Sequence, residues 1–301
     1  MRTILTLVVL LAVSTVLRAA DPLAERMGAG LRALESGELA KAAAVYGEIL
    51  AQNPRYGSAR HLLGICQLRM GRMADGIRNL ETVRKENLLN RQAEYTLVST
   101  YVAMSMLDDA QKIVETTLRA DRTAEAAFMR GSYRMARADY EGAMRELETA
   151  RKLDPKLRGV RSMLGVTYGM ANRSDRAIPL LEAALKENPR DGNAAAFLGW
   201  LYKERDRSGE ATTLLEQTVK ERPGDIGALF LLAQLTQARG NATEAVGMLE
   251  RVVEAQPEHR GAYVLLARLY QKLQRAADAA RAREAVIRLN AAQQAAQPGA
   301  R

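Results

Sequence analysis

Residues that could do chemistry are few in this chain of 301 residues. It has two histidines, His61 and His259, and one cysteine, Cys66. The histidines lie almost 200 residues apart, and neither has a second ligand at the spacing that a metal site needs. The sequence contains no phosphate-binding glycine loop, no HExxH motif and no Gly-x-Ser-x-Gly motif. We therefore predict no catalytic residue, no metal site and no cofactor.

Cys66 follows Ile65 and lies close to the pair Leu62 and Leu63. These apolar neighbours favour a buried, unreactive thiol over a nucleophile, which would need a histidine partner. A single cysteine cannot form an intramolecular disulfide. Stability must therefore come from the packing of secondary-structure elements.

Composition and charge exclude several classes of protein. Hydrophobic residues make up 48% and charged residues 26% of the chain, which excludes wholesale disorder and a multi-span membrane protein. The net charge is +9, and residues 260–301 carry +6 of it, so residues 21–259 are nearly neutral. A nucleic-acid-binding protein would cluster its charge on one face, and the sequence does not favour that class.

The N-terminus has the pattern of a secretory signal. Arg2 and Thr3 precede 14 uncharged residues, Ile4 to Leu17, and a membrane span would need about 20. Ala19 and Ala20 offer a cleavage point. We predict a cleaved signal peptide at residues 1–20 and an exported bacterial protein, periplasmic or associated with the cell envelope. A buried N-terminal helix and an uncleaved anchor are the alternatives.

An internal repeat runs through the rest of the chain. Prolines recur every 34 residues, at Pro155, Pro189, Pro223 and Pro257. Small residues keep the same phase, at Gly30, Gly64, Gly131, Gly165, Gly199, Ala233 and Ala267. A second set of small residues follows, at Ala42, Gly76, Ala110, Ala143, Ala177, Ala211, Ala245 and Ala279.

Each repeat is predicted to consist of two short amphipathic helices, because its apolar positions recur at spacings of three and four. Proline ends the second helix, since it lacks the amide donor and clashes with the preceding turn. The small residues allow the two helices to approach closely. Neither helix can bury its apolar stripe alone, so neighbouring repeats must stack.

These residues resemble the tetratricopeptide repeat family. Its Leu-Gly-x-x-Tyr signature is matched by Leu164-Gly165 with Tyr168, Leu198-Gly199 with Tyr202 and, with alanine for glycine, Leu266-Ala267 with Tyr270. The resemblance implies an all-α, right-handed α-solenoid of about eight helix-turn-helix repeats at 21–290, followed by a flexible tail at 291–301. We expect repeats near 23–56, 57–90, 91–123, 124–157, 158–191, 192–225, 226–259 and 260–290.

The resemblance also implies a concave groove lined by the first helix of each repeat. The exposed groove positions would be Tyr95, Phe128, Met135, Met170, Trp200, Lys203, Phe230 and Gln234. Exposed aromatic rings would anchor a peptide or helix of a partner protein. Alternatively, the rings fill gaps between adjacent repeats. The charged clamp of chaperone-binding relatives is absent, because Leu62, Ile65, Thr96 and Ser99 occupy the equivalent positions.

A cluster of cations marks the last repeat: Arg268, Lys272, Arg275, Arg281, Arg283 and Arg288. It is either a polar cap on the end of the array or a surface that docks to an anionic envelope polymer or membrane. The sequence therefore predicts a protein-interaction scaffold in the periplasm or envelope. The alternative is an envelope assembly factor that acts through its basic C-terminal repeat.

Overall fold

The computed structural model describes residues 22–86, 88 and 91–295. In this part of the chain the regular structure consists of 16 α-helices without a strand, which confirms the predicted all-α class. The helices are α1 Pro22–Glu35, α2 Leu39–Gln52, α3 Gly57–Arg69, α4 Met73–Lys85, α5 Arg91–Ala103, α6 Leu107–Thr116, α7 Ala124–Ala136, α8 Tyr140–Leu153, α9 Val160–Met170, α10 Ser174–Glu187, α11 Gly192–Glu204, α12 Ser208–Glu221, α13 Ile226–Ala238, α14 Ala242–Ala255, α15 Arg260–Lys272 and α16 Ala276–Ala295. The predicted signal peptide at 1–20 lies outside the described residues.

The chain divides into two compact units between Ala138 and Asp139. The N-terminal unit contains α1 to α7, and the C-terminal unit contains α8 to α16. The last helix ends at Ala295, so residues 291–295 of the predicted tail belong to this helix. Residues 296–301 of that tail lie outside the described part. No described helix has the length and hydropathy that crossing a membrane requires.

The short turn inside each helix pair contains one residue in the left-handed backbone region. These residues are Gly37, Gly71, Ser105, Ala138, Asn172, Asp206, Gly240 and Gln274. The turns therefore recur every 33 or 34 residues, in agreement with the predicted number of about eight repeats. Ser105 has φ 58°, so the third repeat makes this turn without glycine.

Small residues set the distance between the two helices of a repeat. A Cβ atom on Gly165 would lie 2.7 Å from Cγ of Leu181, and one on Gly199 would lie 3.0 Å from Cγ of Leu215. Both leucines are fully buried. Because protein interiors are close-packed, the leucine of the second helix occupies the space that a larger side chain on the first would need.

A tyrosine–glutamate hydrogen bond links each of several repeats to the preceding one. The tyrosine lies on a first helix and donates to a glutamate 20 residues earlier, on the preceding second helix. The bonds join Tyr101 to Glu81 (2.9 Å), Tyr168 to Glu148 (3.2 Å), Tyr202 to Glu182 (2.6 Å) and Tyr270 to Glu250 (2.8 Å). Neighbouring repeats are thus held by a repeated polar contact as well as by their apolar core.

An arginine from the following turn covers two of these tyrosine rings. The guanidinium of Arg207 lies 4.2 Å from the ring centroid of Tyr202, and that of Arg275 lies 4.5 Å from the ring centroid of Tyr270. Burial of the phenol, reinforced by the nearby Glu250 carboxylate, raises the pKa of Tyr270 to about 12. The neutral phenol is therefore the form that the folded repeat stabilises.

Replacement of Gly199 by leucine tests the close helix contact. We expect Gly199→Leu to lower the free energy of unfolding by about 1–3 kcal/mol, because the added side chain overpacks the contact with Leu215. Urea unfolding followed by circular dichroism measures the change. The matched control is Gly209→Leu, since a Cβ at Gly209 meets no atom within 4 Å. Equal stability of the two variants would contradict the proposed contact.

Replacement of Tyr270 by phenylalanine tests the link between repeats. Below pH 10, we expect Tyr270→Phe to cost about 0.5–1.5 kcal/mol through loss of the bond to Glu250. The pKa of this phenol is about 10 in the unfolded chain and is raised in the folded chain, so its contribution is lost as the pH rises from about 10 towards 12. Urea unfolding measures the free energy of unfolding of both proteins. The difference between wild type and Tyr270→Phe should become smaller as the pH rises across this range.

Tyr263→Phe is the control in the same helix, because the Tyr263 hydroxyl has no hydrogen bond with a described residue. A difference between wild type and Tyr270→Phe that grows above pH 10 would contradict the assignment.

Candidate functional site

The first helices of consecutive repeats form a layer in the C-terminal unit. Helix α9 contacts α11, and α11 contacts α13. Small residues allow this approach, since a Cβ on Gly227 of α13 would lie 3.4 Å from Cβ of Ala196 on α11. Two of the aromatic rings on helix α11, those of Phe197 and Trp200, pack against each other. Their centroids are 5.2 Å apart and their planes are tilted by 47°. This tilted arrangement is favourable for an aromatic pair.

Gly169 makes room for this ring pair. A Cβ atom at this position of α9 would collide with Cε1 of Phe197 and would lie 3.0 Å from its Cζ. The Phe197 ring therefore lies directly against the backbone of α9. Sequence reasoning missed Phe197, which falls one position outside the expected groove pattern. The available signal was a second glycine, Gly169, one helical turn after Gly165.

The predicted groove residues of the C-terminal unit are unequally exposed. Met170 is 49% exposed, whereas Trp200, Lys203 and Gln234 are half-buried. Nζ of Lys203 lies 3.6 Å from the carboxylate of the adjacent Glu204. Both Met170 and Trp200 belong to the layer of first helices and leave apolar surface accessible.

Phe230 packs between repeats. Its ring centroid lies 4.6 Å from that of His259, and its Cζ would lie 3.3 Å from a Cβ on Gly261. Nδ1 of His259 accepts a hydrogen bond of 3.1 Å from the backbone N–H of Ala262 and so caps α15. Phe230 therefore supports the start of the next repeat, which agrees with the gap-filling alternative for this ring.

The predicted groove residues of the N-terminal unit are Tyr95, Phe128 and Met135. Phe128 and Met135 are half-buried. Tyr95 is only 6% exposed, so the expectation of an exposed groove residue is wrong here. Its ring belongs to the core, and its hydroxyl donates to the Asp121 carboxylate at 2.9 Å and lies 3.0 Å from Oγ1 of Thr123. These contacts give Tyr95 a structural role.

Two of the three residues that could do chemistry, His61 and Cys66, are buried. Nε2 of His61 lies 3.1 Å from Oγ1 of Thr96, and burial lowers the pKa of its imidazole. Cys66 is fully buried, as the sequence predicts, and burial raises the pKa of its thiol. The described residues hold no group of three or more His, Cys, Asp or Glu side chains placed to bind a metal ion.

The six residues of the predicted basic cluster in the last repeat are all exposed. Arg275 and Arg281 pair with Asp278, and Arg283 donates a hydrogen bond of 2.9 Å to Gln271. The side chains without an ion pair or hydrogen bond to a described residue are Arg268, Lys272 and Arg288. Half of this cluster is therefore engaged within its own repeat.

Sequence models of the tetratricopeptide repeat family match most of the chain. One model matches residues 33–93, 134–201 and 170–235, which together exceed half of the chain. Two further models with the same description match 95–157 and 227–259. No curated protein matches the chain in sequence.

Solved structures of tetratricopeptide repeat proteins share the fold. A tetratricopeptide repeat protein from Parabacteroides merdae has a TM-score of 0.63 and 17% identity over 83% of this chain and 98% of that one. A chain of the APC/C hetero-tetramer Cut9-Hcn1 has a TM-score of 0.65 and 18% identity. That match covers 75% of this chain but only 45% of the other. At these identities the likeness concerns the fold alone.

Replacement of Gly169 by alanine tests the geometry of the ring pair. The added methyl group would displace the Phe197 ring, so we expect Trp200 to become more exposed and the protein to lose about 1–3 kcal/mol of stability. Acrylamide quenching of tryptophan fluorescence reports on Trp200 alone, because the chain has one tryptophan. Gly247→Ala is the control, since a Cβ there meets no atom within 4 Å. Unchanged quenching in Gly169→Ala would contradict the contact.

Proposed function

Because the chain belongs to the tetratricopeptide repeat family, we propose that it is a protein-interaction scaffold that binds a segment of a partner protein on its first helices. The observation that carries this proposal is the aromatic pair of Phe197 and Trp200 on α11, which packs against Gly169 of α9, together with the exposed Met170 at the end of α9. Such a surface offers apolar area without a catalytic group. It suits binding of a side chain and does not supply chemistry to transform one.

Recognition would depend on a small apolar anchor. Burial of an aliphatic or aromatic side chain of the partner against Trp200 and Met170 would contribute about 25 cal/mol per Å² of apolar area removed from water. The flexible thioether of Met170 can adapt to the shape of the anchor. Lys203 and Gln234 are placed on the same layer of first helices and would supply polar contacts at the rim.

We further propose that the protein is exported and acts in the periplasm or at the cell envelope. The support is the sequence of residues 1–20, with its basic start and its apolar segment. Proteins that bind the scaffold should then come from the same compartment.

The basic repeat supports a second candidate function, docking to an anionic envelope polymer or membrane during envelope assembly. The observation in its favour is that three exposed cations, Arg268, Lys272 and Arg288, have no ion pair with a described residue, in a repeat that also leaves Ile287 69% exposed. Attraction of this kind would weaken as salt is added.

Site-specific crosslinking in living cells of the organism that makes the protein distinguishes between the two proposed functions. A photoreactive amino acid in place of Trp200 should form an adduct with a protein, and the adduct should map to an apolar segment of that protein. The same amino acid in place of Lys220, an exposed position on α12, is the control and should give no such adduct. A third position, Arg281, reports on the basic repeat. Adducts at position 281 alone would contradict binding of a partner segment on the first helices and would favour docking to an anionic polymer or membrane.

A further inference from the structure

A polar cavity of about 930 Å³ lies in the C-terminal unit, where second helices turn into the first helices of the next repeats. Five cationic and three acidic side chains line it, so the lining carries a net charge of +2. This is a local concentration of charge, because residues 21–259 as a whole are nearly neutral.

Two of the acidic side chains are engaged at helix starts. The Asp191 carboxylate accepts a 3.0 Å hydrogen bond from the N–H of Ala194 and caps α11. The Asp225 carboxylate accepts a 3.0 Å bond from the N–H of Ala228 and caps α13. Asp225 also lies 2.8 Å from Nη2 of Arg222. These carboxylates therefore serve the protein's own structure.

The third acid, Glu187, forms an ion pair with Arg161. Three cations then remain at the cavity without a partner for their side chains among the described residues: Lys156, Arg158 and Arg190. All three are exposed. The cavity thus presents positive charge that the folded protein does not neutralise.

The wall that carries Arg190 is held in place by Arg222. Nη1 of Arg222 donates a 2.7 Å hydrogen bond to the backbone carbonyl of Arg190. Gly192 permits this arrangement, because a Cβ there would collide with both Arg222 and Asp225. The Nε–H of Arg222 is buried and donates to no described atom. The site is therefore built from residues of three successive repeats, which contact one another through Arg222 and Gly192.

We propose that this cavity is a second binding site, distinct from the Trp200 surface, and that it binds an acidic peptide segment of a partner protein. Its cations are distributed along the array: Lys156 and Arg190 each follow a turn proline and stand 34 residues apart. A chain with carboxylates at intervals matches this distribution better than a single small anion does. The N-termini of α9 and α11 also adjoin the cavity and favour negative charge.

Titration of the full chain with a fluorescently labelled hexaglutamate peptide tests the proposal. Wild type should bind it, with an affinity that falls as salt is added. The double variant Lys156→Gln/Arg190→Gln should bind about tenfold more weakly, because two charge-assisted contacts are lost. Lys156→Arg/Arg190→Lys, which keeps both charges, should retain most of the binding. Circular dichroism checks that each variant is folded.

The matched control is Arg55→Gln/Arg119→Gln, which removes two exposed cations from the N-terminal unit and should leave the affinity unchanged. Trp200→Ala should also leave the affinity for hexaglutamate unchanged, so this experiment tests the cavity independently of the surface around Trp200. The proposal is overturned if hexaglutamate does not bind, if Lys156→Gln/Arg190→Gln binds it like wild type, or if hexaglutamine binds equally well. The proposal is also overturned if the protein binds inorganic phosphate but does not bind hexaglutamate.

Discussion

The close contact between a small residue on the first helix and a leucine on the second determines how the surface of each repeat is arranged. With Gly199 packed against Leu215, the orientation of α11 is fixed. At about 100° per residue, Tyr202 then faces the preceding repeat, where it meets Glu182, while Trp200 lies on a different side. One packing constraint therefore sets both the link between repeats and the surface that a partner can reach.

The sequence predicts the fold because the constraint is periodic. Proline and small-residue positions recur every 33 or 34 residues, and only a few residue types fit each of these positions. Side-chain contacts differ in how far they follow this period. The bond from Tyr202 to Glu182 has equivalents in three other repeats, whereas Tyr95 bonds to Asp121 within its own repeat and is buried. Phe197 and the polar cavity depend on contacts between particular residues of different repeats, which spacing along one helix does not reveal.

The two proposed sites differ in chemistry and lie in the same C-terminal unit. The surface of Phe197, Trp200 and Met170 would contribute affinity by burying apolar area, which has little directional preference. The cavity lined by Lys156 and Arg190 would select for negative charge and increase the rate of encounter. A partner with an apolar anchor in one segment and acidic residues in another would satisfy both sites, so specificity would come from their combination.

The single tryptophan makes the central claim directly measurable. The partner segment that crosslinks at position 200 can be synthesised as a peptide and added to the full chain while Trp200 fluorescence is recorded. The account predicts a saturable shift of the emission to shorter wavelength, because the peptide removes the indole ring from water, and loss of that shift in Phe197→Ala. If fluorescence anisotropy of a labelled peptide shows binding but the Trp200 emission does not change, the aromatic pair is not the binding surface.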